Sequence, residues 1–202
     1  MLCLLAVCIT THTRAIALNY QVDLSARVEN MADLLGKDPR LARADFRAMG
    51  DAAIPEILKL IQNDENQPVH KRVLRNRWLV DVIAEYESTK ADAALIELLS
   101  HHHPHIRGSA VYWLGVRKSK AALPHLINLL DDTGVYVNTY VSHGDDYDTL
   151  VSDVAIEALQ KITKKNFAKN ESKEKQVEAW KRWWQKQKKK ISRSGHLKLH
   201  AV

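Results

Sequence analysis

The sequence predicts an all-α protein: a right-handed α-solenoid of about four stacked helical pairs, with a small β-hairpin insertion near residues 133–151. Three observations lead there. Apolar residues recur at helical spacing in one segment after another. Three of those segments resemble each other, which is the mark of a repeat architecture. Gly and Pro number only 7 and 5 in 202 residues, too few for a turn-rich all-β fold. That length is enough for one domain with a sizeable core.

The first seventeen residues, MLCLLAVCITTHTRAIA, are read as a signal peptide. Met1 to Ile9 are apolar throughout, and Ala15-Ile16-Ala17 gives an A-x-A ending. Nine apolar residues are too few to cross a bilayer, so no integral membrane segment is expected once this leader is removed. No Lys or Arg precedes the apolar run, as would follow if the natural start lies upstream. A buried N-terminal helix or strand is the alternative. A lipid anchor on Cys8 is disfavoured by the bulky Val7 before it. Cys3 and Cys8 both lie in the leader. A mature chain from Leu18 therefore has no disulfide, thiolate zinc site or cysteine nucleophile.

The folded region is expected over 18–187, followed by a basic tail without structure at 188–202. Its repeat is carried by AAIPEILKLI (52–61), KADAALIELL (90–99) and AALPHLINLL (121–130). Pro55 and Pro124 hold the same repeat position, in the first turn, where a missing N–H costs nothing. Another helix precedes each segment: PRLARADFRAM ending at Gly50, VHKRVLRNRWLVDVIAEY, and HIRGSAVYWLG with Ile106, Ala110, Val111 and Leu114 on one face. VSDVAIEALQKI repeats that face with Val151, Ala155, Ile156 and Leu159. No single pair buries both its faces, whereas stacked pairs do.

The stretch HIRGSAVYWLGVRKSKAALPHLINLLDD resembles a short HEAT repeat, of the kind also found in phycobilisome lyase-like proteins. Ile106-Arg107, Ala110, Leu114-Gly115, Ala121 to Pro124 and Leu129 to Asp132 carry the likeness. VSDVAIEALQKITKKNF and the later AWKRWW resemble the last repeat and Trp-rich end of bacterial HEAT-like proteins. There a Thr-Gly and a second Gly surround the Phe; here Lys164 and Ala168 stand near Phe167 instead. The resemblance covers about Asp38 to Trp184. It implies a scaffold with no enzymatic activity and no cofactor, binding a protein partner on a concave face lined by the second helices. On those helices Glu56, Lys59, Glu97, His125 and Asn128 are the expected contact residues. Two other readings stay open: a nucleic-acid-binding or DNA glycosylase-like protein, and a phycobilin lyase-like protein.

The run His101-His102-His103-Pro104-His105 falls in the turn between two pairs. Exposed histidines there invite a metal reading. Adjacent loop histidines rarely converge on one ion and no Cys, Asp or Glu lies beside them, so no metal ligands are assigned. The insertion holds His143, Asp145, Asp146 and Asp148 but not the EF-hand pattern. Its His-Gly-Asp-Asp at 143–146 suits a hairpin turn. Trp180, Trp183 and Trp184 share one helix face, expected to cap the stack.

Charge is divided along the chain. From Lys161 onward there are 14 Lys/Arg against 3 Asp/Glu, net +11; residues 1–160 hold 16 against 21, net −5. Weak, non-specific polyanion binding is expected of the C-terminal tail. The leader points to a periplasmic or secreted location, or a cytoplasmic one if it is not cleaved. No phosphate loop, zinc-protease helix or nucleophile elbow occurs.

Overall fold

The computed structural model describes residues 23–63, 69–136 and 149–199, and the chain divides into two compact units, Met1–Ala94 and Leu95–Val202. The leader with both cysteines and the 143–146 turn lie outside the described residues.

In the first unit a helix at residues 23–34 (α1) precedes the repeat and was not expected from the sequence. Its inward side is sparse but regular: Leu24, Val28 and Ala32 are buried at four-residue spacing, followed by Leu35. α2 (Pro39–Met49) starts where the Asp38 carboxylate accepts the Leu41 N–H at 3.0 Å. It ends at Gly50, whose φ of 62° places it in the left-handed region. α3 (Ala53–Gln62) buries Ala53, Ile54, Ile57 and Ile61 and packs against α4 (Val69–Glu85). The buried Asn76 amide of α4 donates to the Ile61 carbonyl at 3.3 Å. The Tyr86 hydroxyl donates to the Phe46 carbonyl at 2.8 Å, and burial pushes its pKa up to about 12. α5 (Thr89–Glu97) runs across the boundary and tightens into a 3₁₀ turn at Leu98–Ser100.

The second unit holds α6 (Pro104–Val116), α7 (Leu123–Asn128), α8 (Val151–Thr163) and α9 (Lys173–Leu199). α7 is only six residues long, flanked by 3₁₀ turns at Lys120–Ala122 and Leu129–Asp131. α6 lies along α8 and α7 along α9, first helix on first and second on second, as stacked pairs require. Gly115 permits the close approach: a Cβ there would lie 2.9 Å from Ala158 Cα of α8. Ile106, Leu114, Leu126 and Leu159 fill the space between. The insertion begins and ends as a two-residue ribbon, β1 (Val135–Tyr136) antiparallel to β2 (Thr149–Leu150). So the hairpin base is present as expected, with Tyr136 buried over Gly108.

Two expectations change. Lys164 and Ala168 have φ of 60° and 53°, so this turn keeps the left-handed conformations that glycine supplies in similar sequences. The tail at 188–202 was expected to be unstructured, yet α9 continues to Leu199. Its Lys, Arg and Gln residues are good helix formers, and no proline interrupts them.

Candidate interaction surfaces

The five expected contact residues do not share one environment. Lys59 on α3, Glu97 at the end of α5, and His125 and Asn128 on α7 are exposed. Glu56 is not an open surface group. Its carboxylate accepts the Ser25 hydroxyl of α1 at 2.5 Å and lies 3.9 Å from Lys59 Nζ, with only 12% of the side chain accessible. α1 went unrecognised in the sequence, so the cover it puts over Glu56 did too.

The histidine turn is built on backbone bonds. His101 Nδ1 accepts the His103 N–H at 3.1 Å, and His103 Nδ1 accepts the His105 N–H at 3.3 Å, capping α6. Both rings are half-buried; only His102 is exposed, against the expectation of three exposed histidines. Pro104 fixes the first helical position. These Nδ1 lone pairs are therefore engaged, and among the described residues no three His, Cys, Asp or Glu side chains are placed to hold a metal ion.

Arg107 joins this turn to the next one. Its Nε and Nη2 donate to the two oxygens of Asp132 at 2.7 and 2.9 Å. Its Nη1 donates to the His101 and His102 carbonyls, both at 2.9 Å. Asp132 also accepts the Gly134 N–H at 2.8 Å, and its carbonyl accepts the Ser152 N–H at 3.1 Å. The foot of the insertion is thus tied to both inter-repeat turns. Burial pushes the Asp132 carboxyl upward, but the Arg107 and Gly134 bonds and the Arg107 charge outweigh it and hold its pKa below the usual value. The sequence contains both partners in the quoted repeat; their pairing across 25 residues is visible only after folding.

Beside this foot runs an open groove of about 500 Å³ between the end of the α7 segment, the ribbon and α9. Leu150 and Val177 form its apolar floor, and Asp131, Lys173 and Lys181 its rim. Lys181 Nζ bridges to Asp131 at 2.5 Å, and Lys173 to Asp153 at 2.7 Å. None of the five expected contact residues lines it. Its position depends on where the insertion returns, which no helical periodicity records.

The Trp face caps the unit. Trp180 is fully buried, edge-on to Phe167 with ring centroids 4.7 Å apart, and Trp183 stands against both. Trp183 and Trp184 are half-buried. Among the described residues no helix is long and apolar enough to cross a membrane.

Residues 54–142 match the family of HEAT repeats. No curated protein and no solved structure matches the chain.

Proposed function

The chain is a HEAT-repeat protein across residues 54–142, and from that premise we propose that it is a non-enzymatic binding protein of the cell envelope or exterior. HEAT repeats generally serve as protein-interaction scaffolds. The observation that carries the reading is the second helices: Lys59, Glu97, His125 and Asn128 stand exposed on α3, α5 and α7, while the apolar residues between them are buried. A protein partner contacts these exposed second-helix residues, Lys59 in the first unit and Glu97, His125 and Asn128 in the second. Polar side chains held on rigid helices lose little entropy on binding. Glu56 is held by Ser25 of α1 and is not part of this open set.

Export is read from the leader at 1–17, so the location is periplasmic or secreted. The basic C-terminal end adds weak, salt-dependent attraction to polyanions. The test is capture from the cell envelope with purified wild type and with His125→Glu/Asn128→Lys. The double variant should lose the partner while keeping its helical circular dichroism. Equal capture by both proteins would remove α7 from the binding surface. An uncleaved, cytoplasmic chain with Met1 intact would overturn the location.

A further inference from the structure

We infer that the His101–His105 turn is a pH-sensitive clip: with neutral imidazoles it holds the foot of the insertion to the preceding turn, and protonation of His101 and His103 releases it. The proposed partner surface on the second helices plays no part in this.

The clip is a chain of hydrogen bonds that begins at two unprotonated ring nitrogens. His101 Nδ1 accepts the His103 N–H, and His103 Nδ1 accepts the His105 N–H at the start of α6. A nitrogen that accepts carries no proton, so the proton of each neutral ring sits on Nε2. The two bonds fix the peptides on either side of His102, whose carbonyl and that of His101 both accept from Arg107 Nη1. The other edge of Arg107 holds both oxygens of Asp132, and Asp132 holds the Gly134 N–H. The fit is close: a Cβ on Gly134 would lie 2.7 Å from both Arg107 Nη2 and Pro104 Cβ.

Acid undoes this chain at its first link. An imidazolium carries N–H groups on both nitrogens, so each ring turns a donor toward the backbone donor it now accepts. Its positive charge then stands at the N-terminus of α6, the end of a helix that favours anions. Arg107, bonded to the same turn, repels it. So do protonated neighbours, since the His101 and His102 ring centroids are 4.3 Å apart and those of His103 and His105 5.1 Å. Asp132 acts the other way, but Arg107 already engages both its oxygens. The preceding 3₁₀ turn, Leu98–Ser100, adds no charge, and Glu97 before it is exposed. Tyr136 of β1, its ring 6.3 Å from that of His105, is a phenol and brings no charge near neutral pH. His143, Asp145, Asp146 and Asp148 of the insertion lie outside the described residues. The folded turn therefore takes up protons less readily than the unfolded chain. Its stabilisation is complete above the ordinary imidazole value of about 6.5 and is lost as pH falls below it.

The experiment compares full-length proteins between about pH 8 and about pH 5, on either side of that value. Asn offers an acceptor oxygen at both positions and does not titrate, so H101N/H103N keeps the caps throughout. Over this range the folding constant from urea titrations should fall at least about tenfold further in wild type than in H101N/H103N, as follows when one ring binds its proton tenfold more weakly in the folded chain. H102N, which removes the exposed ring, should stay close to wild type. Ring nitrogen spectra of the wild type should show Nδ1 of His101 and His103 unprotonated at the upper pH and protonating below the value of a model histidine peptide. Exchange of the Gly134 amide, corrected for the intrinsic effect of pH, should quicken on acidification in wild type and not in H101N/H103N. Three results overturn the inference: parallel urea curves for wild type and H101N/H103N, protonation of both wild-type rings at or above the model-peptide value, or a wild-type Gly134 amide equally protected across the range.

Discussion

The Arg107 guanidinium is held by one carboxylate and two carbonyls, so removing the carboxylate leaves a half-buried cation short of its partner. Asp132→Asn should cost about 2 kcal/mol near neutral pH, less than a fully buried pair because both side chains keep some solvent access. The pair also sets an acid limb. The Asp132 pKa is lower in the folded chain than a carboxyl's ordinary value, so its stabilisation is complete above that ordinary value and is lost as pH falls through the folded one. Urea titrations at falling pH should be flatter there for Asp132→Asn; parallel curves would contradict the account. His103 caps α6 through a neutral Nδ1, so His103→Ala should cost about 1 kcal/mol and His103→Asp, a better cap, should cost nothing. These caps are not legible in the sequence because histidine is not a usual capping residue, though Pro104 marks the helix start.

Individual helices were legible wherever an apolar face was regular. Ile57 and Ile61 in α3, or Ala155 and Leu159 in α8, are buried as their spacing requires. α1 escaped because its inward residues, Leu24, Val28 and Ala32, are sparse and one is only alanine. The ends of α8 and α9 were harder. A left-handed residue after α8 is normally announced by glycine, and here Lys164 and Ala168 adopt the conformation without that signal. Lys164→Gly and Ala168→Gly should each raise stability by up to about 1 kcal/mol, because relief of left-handed strain exceeds the added chain entropy. Denaturant midpoints measure this; a loss at either site would refute the strain argument. The Trp face was identified as a cap, but its members are unequal. Trp180→Ala should cost about 4 kcal/mol and Trp183→Ala about half that, since only Trp180 is fully buried.

At the scale of the whole molecule, repeat spacing disclosed the fold because each pair must bury one face against the next. The exposure of the proposed contact residues was only partly legible. Lys59, Glu97, His125 and Asn128 are exposed as periodicity demands, whereas Glu56 is covered by a helix that periodicity overlooked. The groove beside Leu150 and Val177 depends on long-range closure of the insertion. The proposal that a partner runs along the second helices is tested most directly by placing a photocrosslinking residue singly at Lys59, Glu97, His125 and Asn128, and, for comparison, at the exposed Glu157 on α8, a first helix. Irradiation in the native cell envelope should join one and the same protein to the second-helix positions and not to position 157. Crosslinks from position 157 alone, or different proteins from each position, would contradict a shared binding surface.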